Sequence, residues 1–176
     1  MTPGSASTSG DEDQLAREKL WQLIKDIRFS MFTVRHANGH LHSRPMTVQN
    51  TGVDEDSSLW FFMSRRSEPV TDLGQDGNVN VAFADVDADS YVSVSGHAVV
   101  VEDTAKKRQL WSKMAQAWFA GGAEDPDLAL VQVKISHADY WNVKENKLVQ
   151  LFKMATAAVT GTTPSGMGER GEVHLR

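Results

Sequence analysis

Short segments rich in β-branched and aromatic residues account for most of the hydrophobic pattern along the chain. They read "SMFTVRH", "LHSRPMTVQN", "SLWFFM", "NVNVAFAD", "YVSVSGHAVVVED" and "LALVQVKI", with "ADYWNVKEN" as a further strand or a turn. The spacing of these segments and the turns between them predict about six strands, mostly in hairpin order. Because long helices do not alternate with them, the pattern favours a small closed antiparallel barrel over a doubly wound parallel sheet.

Helical spacing of apolar residues occurs in a few segments outside the strands. One runs from Asp11 to Ile27, and "KLVQLFKMATAAVTG" predicts another helix near the end of the chain. "TAKKRQLWSKMAQAWFAGG" predicts a single helix that ends at its glycines. "SEPVTDLGQDG" predicts a short helix with Ser67 as N-cap and Pro69 in the first turn. The expected fold is mainly β with flanking helices.

Three positions predict local features of the backbone. Asn38-Gly39 is typical of a two-residue hairpin turn, because both residues accept a positive φ angle. Pro45 cannot donate a ladder hydrogen bond, so its strand is expected to lie at an edge of the sheet or to be locally interrupted there. Gly96 within a strand predicts a bulge or a close approach of two backbones.

The composition sets the domain organisation. Residues 1–10 are rich in Gly, Ser and Thr and are predicted to form a disordered tail. Residues 11–161 carry the hydrophobic pattern and are predicted to form one domain. Residues 162–176 are polar and are predicted to form a flexible C-terminal tail.

Charge and cysteine content narrow the function. The 176-residue chain has a net charge of −5, which argues against nucleic acid as a partner, and it has no cysteine for disulfides or thiol catalysis. No apolar run reaches the length of a membrane span, and the N-terminus lacks an apolar signal segment. We therefore expect a soluble cytoplasmic protein without a membrane partner.

Three motif matches do not hold up in their sequence context. "GMGERG" fits a dinucleotide expression, but no strand precedes it and no helix follows. "DVDADS" resembles the start of a calcium loop, but Ser90 and Gly96 stand where glycine and glutamate are required. His40 and His42 could supply two metal ligands, yet no third ligand is evident. Surface histidines and no metal site are the expectation.

Two stretches carry candidate binding chemistry. In "RPMT", Arg44 precedes the strand-interrupting proline and could reach an anion or a carbonyl, although an exposed edge-strand arginine explains it equally well. In "FFMSRRSEPV", a strand ends in Arg65 and Arg66 and a helix begins at Ser67, where exposed N–H groups attract phosphate. A capped helix with two solvated arginines is the alternative, and spacing alone slightly favours it.

Taken together and in this order, these segments resemble the FMN-binding split-barrel proteins related to pyridoxamine 5'-phosphate oxidase, and most closely the bacterial general stress protein 26 branch. The resemblance covers about residues 15–161. It rests on "RPMTVQ", "LWFFMSRRS", "NVNVAFAD", "YVSVSGHAVVVED", "LWSKMAQAWFAGGAEDPDLALVQVK", "ADYWNV" and "LVQLFKMATAAVTG". It implies a six-stranded antiparallel split barrel and a homodimer that binds one FMN at each of two sites between the subunits.

The resemblance also implies which residues contact FMN, with the two tryptophans approaching from the partner chain. The implied cofactor-binding residues are Arg44, Pro45, Met46 and Thr47 on one strand, Phe62, Met63 and Ser64 on the next, Arg65 and Ser67 at the phosphate, and Tyr91, Trp118 and Trp141.

The chain departs from the family pattern at two points. The phosphate segment commonly ends in Ser-x-Lys, but here Pro69 stands at the lysine position, so Arg65 or Arg66 would have to supply the missing charge. Pyridoxamine-phosphate oxidases also carry an Arg-x-His pair near the C-terminus, and "KLVQLFKMATAAVTG" contains no arginine. This second departure argues against oxidation of pyridoxamine phosphate.

The resemblance implies a flavin-dependent oxidoreductase of unknown substrate with a link to stress response. Because the flavin carries the redox chemistry, no catalytic residue is named. The alternatives are a flavin-binding or redox-sensing protein without turnover, and a split barrel that binds another cofactor such as deazaflavin.

Overall fold

The structure, a computed structural model, describes residues 7–142 and 169–173. The strands of this part of the chain are β1 (Ser30–Arg35), β2 (Leu41–Met46), β3 (Ser58–Ser64), β4 (Asn78–Asp85), β5 (Ser90–Val101), β6 (Leu128–Asn142) and β7 (Glu169–Val173). Its helices are α1 (Ser7–Ile24), α2 (Glu68–Leu73), α3 (Thr104–Leu110) and α4 (Lys113–Trp118), with a 3-10 turn at Gly122–Glu124. The expectation of a mainly β fold with flanking helices is confirmed.

All strands pair antiparallel in the order β2-β1-β4-β5-β6-β3. The 15-residue β6 organises the sheet, because one of its edges pairs with β5 while the other pairs first with β3 and then with β7. "LALVQVKI" and "ADYWN" therefore form one continuous strand. The described part of the chain has seven strands rather than the predicted six.

The sheet is a split barrel that is not closed by a continuous ladder, so the expectation of a closed barrel is wrong. The two end strands, β2 and β3, instead meet through a short contact beyond β2. The backbone N–H of Gln49 donates to the carbonyl oxygen of Trp60 (2.8 Å), and the Trp60 N–H donates to the Asn50 side chain (2.7 Å). Pro45 lies in the end strand β2, as predicted, where its missing N–H leaves no ladder bond unmade.

The two predicted tails both contain regular structure. Helix α1 begins at Ser7, inside the segment predicted to be disordered, and it buries Leu20 and Ile24 in the barrel core. Strand β7 lies inside the predicted flexible tail and pairs with the far end of β6. In both places tertiary packing and pairing outweigh a polar local composition. The helix predicted from "KLVQLFKMATAAVTG" lies outside the described residues.

Two further local expectations are corrected. The β1–β2 hairpin has a three-residue loop, since the His36 N–H bonds to the His40 carbonyl and only Gly39 adopts a positive φ (+86°). The single helix predicted after residue 103 is two helices. It breaks at Trp111, whose ψ of 134° is extended, and Ser112 then caps α4 by accepting from the Ala115 N–H.

Two hydrophobic clusters lie on opposite faces of β3 and β6. The larger one fills the barrel, where the rings of Phe32 and Phe61 meet edge to face at 5.0 Å. The smaller one joins Trp60 and Phe62 of β3 to Leu110 and to α4. Because β3 is covered on both faces, its sequence is a continuous apolar run rather than an alternating one. This second cluster holds α4 beside the end of β3.

No helix among residues 7–142 and 169–173 is both long enough and apolar enough to cross a membrane.

Candidate functional site

A cavity of about 380 Å³ lies where β2, the end of β3, the start of α2 and α4 come together. Its volume is within the range of small-molecule sites, about 300–1,000 Å³. It is lined by Arg28, Phe29, Arg44, Pro45, Met46, Thr47, Gln49, Phe62, Met63, Ser64, Ser67, Pro69, Met114, Ala115, Trp118, Phe119 and Asp127. One wall is apolar and aromatic, and the other, around the start of α2, is polar.

Ser67 is the N-cap residue of α2, as predicted, but its hydroxyl makes no capping hydrogen bond. The Ser67 Oγ is buried without a hydrogen-bond partner in the cavity wall. An N-cap hydroxyl ordinarily accepts from the N–H of the second or third helical residue, and the second residue here is Pro69, which has none. Pro69 thus removes one of the two usual partners and leaves the hydroxyl available to a ligand.

Arg44 contributes a second buried group of the same kind. Its Nε atom is buried without a hydrogen-bond partner, while its terminal NH2 nitrogen donates to the Glu68 Oε2 at 3.1 Å. A buried polar group without a partner is costly, so such groups often mark the place of a ligand or a water. Arg44 and Ser67 place two of them on the wall of one cavity.

Arg65 and Arg66 are not among the residues that line the cavity, and both guanidinium groups pair with acidic side chains. The Arg65 NH1 nitrogen lies 2.6 Å from the Glu102 Oε1, and the Arg66 Nε lies 3.1 Å from the Asp127 Oδ1. The cationic residues that do line the cavity are Arg28 and Arg44. Of these two, Arg44 lies beside the start of α2, where it pairs with Glu68, whereas Arg28 contacts Met114 of α4. The sequence expectation that Arg65 or Arg66 supplies the charge missing at position 69 has no support from the cavity lining.

Asp127 lines the cavity and is hydrogen-bonded to residues at and just beyond the end of β3. Its carboxylate accepts from the Ser64 hydroxyl (2.7 Å) and from Arg66, and these two bonds, the Ser64 bond foremost, hold the pKa of Asp127 below its usual value. The hydrogen bond from Arg65 likewise lowers the pKa of Glu102. Both groups are therefore carboxylates at neutral pH, and the Ser64 hydroxyl proton is committed to Asp127.

The structure brings together all but three of the residues named from the resemblance. Arg44, Pro45, Met46, Thr47, Phe62, Met63, Ser64, Ser67 and Trp118 line the cavity. Arg65, Tyr91 and Trp141 do not. Trp118 lines the cavity of its own chain, whereas the resemblance implied that it approaches from the partner chain. Tyr91 and Trp141 face each other as a cross-strand pair on β5 and β6, and both are more than a third exposed.

Sequence reasoning missed several lining residues. They are Arg28, Phe29, Gln49, Met114, Ala115, Phe119 and Asp127. Arg28 and Phe29 lie in the connection between α1 and β1, where no motif marked them. Met114 and Ala115 lie on α4, whose sequence predicts a helix but carries no signal that it borders a cavity. Asp127 carried no signal, because its role depends on Ser64, which is 63 residues away in the chain.

The profile of the family "Pyridoxamine 5'-phosphate oxidase like" matches residues 15–165. The chain belongs to this family. Protein bli-3 of Neurospora crassa is 31% identical over 146 residues, which cover 76% of this chain and 68% of that protein.

Two solved structures from bacteria extend the likeness within the pyridoxamine 5'-phosphate oxidase-like family. The general stress FMN/FAD binding protein of Xanthomonas citri is 33% identical, with a TM-score of 0.62 over 76% of this chain and 92% of that one. General stress protein 26 of Bacillus anthracis is 25% identical, with a TM-score of 0.61 over 70% of this chain and 92% of that one. The general stress branch expected from the sequence is therefore confirmed as a likeness.

Proposed function

We propose that this pyridoxamine 5'-phosphate oxidase-like protein binds FMN in the cavity between β2, β3, α2 and α4. The observation that carries the proposal is the pair of buried, partnerless polar atoms on the cavity wall, Ser67 Oγ and Arg44 Nε. Both can donate a hydrogen bond, and both lie on the polar side where an anionic group would be stabilised by arginine. The FMN/FAD-binding description of the Xanthomonas citri protein supports the same ligand class.

The residues present suit the two ends of such a cofactor. Ser67, Arg44 and Arg28 supply hydroxyl and guanidinium donors for a phosphate, in place of the lysine that Pro69 replaces. Met46, Phe62 and Trp118 supply apolar and aromatic surface for a planar ring system. The main chain around Pro45 adds no N–H at that residue, so ring contacts there come from side chains and carbonyl groups.

A bound flavin supplies hydride or single-electron transfer, and the protein supplies position, charge and exclusion of water. We therefore infer that the protein is a flavin-dependent oxidoreductase linked to stress response. The Asp127 carboxylate orients Ser64 and Arg66 around the cavity without holding a transferable proton, because its pKa is lowered. The substrate that exchanges electrons at this site would be a small molecule, in keeping with a cavity of about 380 Å³.

We further infer a homodimer in which the partner chain completes each cavity. Trp118 is 80% exposed at the cavity rim, and Phe29 beside it is 57% exposed. Large exposed aromatic side chains next to a cavity are typical of surfaces that another chain covers. Tyr91 and Trp141, which the resemblance places at the flavin, do not line the cavity of their own chain, as expected if they serve the cavity of the partner.

The first experiment compares two serines with FMN titration followed by flavin fluorescence. Ser67→Ala removes a buried partnerless hydroxyl in the cavity wall, and Ser57→Ala removes a buried partnerless hydroxyl outside it. A hydrogen bond to a charged group contributes about 1.5–3 kcal/mol, so Ser67→Ala should weaken FMN binding about 10-fold or more. Ser57→Ala should leave it unchanged. Equal effects of the two changes would contradict the assignment.

The oxidoreductase part is tested separately on the FMN-loaded protein. Anaerobic addition of NADH or NADPH should bleach the flavin absorption band, and addition of an electron acceptor should restore it over repeated cycles. A protein that binds FMN but never cycles with any donor would be a flavin carrier or sensor instead. Binding without turnover therefore rejects the enzyme and keeps the binding site.

A further inference from the structure

Two histidines and a glutamate converge beside the cavity, on the face of α2 that packs against the β1–β2 hairpin. His36 follows β1, His42 lies on β2, and Glu68 is the first residue of α2. The His36 Nε2 lies 2.9 Å from the His42 Nδ1 and 3.6 Å from the Glu68 Oε1. One potential ligand atom from each of the three residues lies within 4.8 Å of the others.

These separations are close to those that a tetrahedral zinc ion imposes. With Zn–N and Zn–O bonds of about 2.0–2.2 Å, two ligand atoms at a tetrahedral angle are about 3.3–3.6 Å apart. The observed 3.6 Å lies at the upper end of that range and the observed 2.9 Å lies below it, so small rotations of the exposed His42 and Glu68 side chains would complete the geometry. Two histidines and one carboxylate form a recurrent zinc ligand set that keeps a fourth position for water.

Asp72 gives the cluster the support that distinguishes a metal site from chance surface histidines. Its buried carboxylate lies 2.5 Å from the His36 Nδ1, and its side chain is only 8% exposed. With the Nδ1 proton directed at Asp72, the Nε2 lone pair of His36 faces His42 and Glu68. Histidines that bind metals usually donate their other ring N–H to a carboxylate in this way. Glu68 and Asp72 lie four residues apart, on one face of α2.

We propose that His36, His42 and Glu68 bind a divalent zinc ion, with Asp72 orienting His36. The site joins the hairpin to the first turn of α2, which carries Ser67 at its start. His40, the other histidine of the H-x-H pair, is not in the cluster, because the three-residue loop places His36 rather than His40 against His42. A sequence search for two histidines on one strand therefore selects the wrong pair.

Glu68 links this site to the cavity, because its second oxygen accepts from Arg44 at 3.1 Å. A zinc ion bound to Glu68 would neutralise the carboxylate, weaken its hold on Arg44 and add positive charge beside the cavity. Each change would strengthen the binding of an anion in the cavity. Because coupling between two binding sites is reciprocal, a bound anion would strengthen zinc binding by the same factor. This coupling rests on the proposed flavin function, whereas zinc binding itself does not.

The test is calorimetric titration of ZnCl2 into the full chain, prepared without an affinity tag, stripped with chelator and free of flavin. We expect one zinc per chain. His42→Ala and Glu68→Ala each remove a ligand and should weaken zinc binding at least about 100-fold. Asp72→Asn keeps the shape but removes the charge, and should weaken zinc binding about 10–100-fold. His42 and Glu68 are exposed, so neither change is expected to impair folding.

Two control variants make the outcome decisive. His40→Ala removes a histidine from the same hairpin and should leave zinc binding unchanged. His137→Ala disrupts the cluster of His137, Asp139 and Glu172 at the other end of the sheet and should also leave it unchanged. Absence of zinc binding to the wild type at micromolar concentrations overturns the proposal. So does a titration that His42→Ala leaves intact or that His137→Ala abolishes.

The coupling is measured by FMN titration with and without saturating zinc. We expect zinc to tighten FMN binding about 5-fold or more, and we expect no effect in His42→Ala. Equal FMN affinity with and without zinc would remove the coupling and leave the metal site in place. Failure to bind FMN at all would contradict the proposed function, while the zinc titration would still stand or fall independently.

Discussion

Pro69 has two effects at a single position, and they partly offset each other. It puts no charge where the family pattern has a lysine, which weakens any anion site. It also has no N–H at the second position of α2, which leaves the Ser67 hydroxyl without its usual capping partner there. The cavity therefore lacks the lysine charge but has the Ser67 hydroxyl as an available hydrogen-bond donor. Its positive charge comes from Arg28 and Arg44.

Arg28→Ala is expected to weaken FMN binding while leaving riboflavin binding unchanged, because only FMN carries the phosphate. A partly exposed charge at short range contributes about 1 kcal/mol, so the FMN dissociation constant should rise about 5-fold, and less at high salt. Parallel titrations of both flavins measure the difference. Arg65→Ala is the matched control, since Arg65 pairs with Glu102 outside the cavity. If Arg65→Ala has the larger effect, the phosphate lies on the other side of the turn.

Pro69→Lys is expected to act in the opposite direction. It restores a cation at the cavity wall, so FMN should bind more tightly while riboflavin is again unaffected. It also restores an N–H at the second helical position, where the Ser67 hydroxyl could cap α2 and become less available. The net gain should therefore be smaller in this chain than the cation alone would give. Pro69→Ala introduces only the N–H, so it separates the effect of the N–H on FMN binding from the effect of the charge. Tighter FMN binding in Pro69→Ala would contradict the idea that the free Ser67 hydroxyl contributes to FMN binding.

At the scale of elements, most local sequence signals were reliable, although the two-residue turn predicted at Asn38-Gly39 is a three-residue loop. Pro45 indicated an end strand and Gly96 indicated a bulge, and the β5–β6 register does shift between Ser95 and Gly96. The signals failed where distant packing decides. Trp111 interrupts a helix-like run, and its ring packs against Phe62 at 5.8 Å, a contact that no periodicity within the run shows.

In the candidate site, too, the features set by neighbouring residues could be predicted from the sequence, and those set by distant contacts could not. The two strands that line the cavity and the start of α2 could be located from sequence, because each carries its polar signal within a few residues. The directions of Arg65 and Arg66 could not, because their acidic partners, Glu102 and Asp127, come from distant parts of the chain. The resemblance placed Arg65 at the phosphate, whereas in the structure Arg65 pairs with Glu102 and does not line the cavity.

Gly96→Ala is expected to destabilise the fold, because a Cβ at that position would lie 2.5 Å from the Lys134 carbonyl oxygen. Backbone cannot yield as a flexible side chain does, so the cost should be about 1–3 kcal/mol. Urea unfolding should show a lower midpoint with an unchanged slope. Gly52→Ala is the control, since no atom lies within 4 Å of its Cβ, and it should be neutral or slightly stabilising. Equal midpoints for the two variants would show that the bulge can relax.

At the scale of the whole molecule, the proposed homodimer accounts for two exposed aromatic surfaces of the split barrel. Trp118 and Phe29 stand exposed at the cavity rim, while the Tyr91 and Trp141 pair is exposed elsewhere on the sheet. A two-fold symmetric dimer would bury both surfaces, because the cavity rim of each chain would contact the Tyr91 and Trp141 pair of its partner. In that arrangement each flavin site needs Ser67 from one chain and Trp141 from the other.

This arrangement predicts complementation between two defective variants. Ser67→Ala and Trp141→Ala homodimers should both bind FMN weakly, since every site in each lacks one contributor. After unfolding and refolding an equal mixture, half of the dimers should be mixed, and each should hold one site with both residues intact, so about a quarter of all sites should regain wild-type affinity. Titration at an FMN concentration near the wild-type dissociation constant measures that fraction, with each variant refolded alone as the control. If no tight sites return although sedimentation confirms mixed dimers, both residues act within one chain or Trp141 does not contribute, and the shared site is refuted.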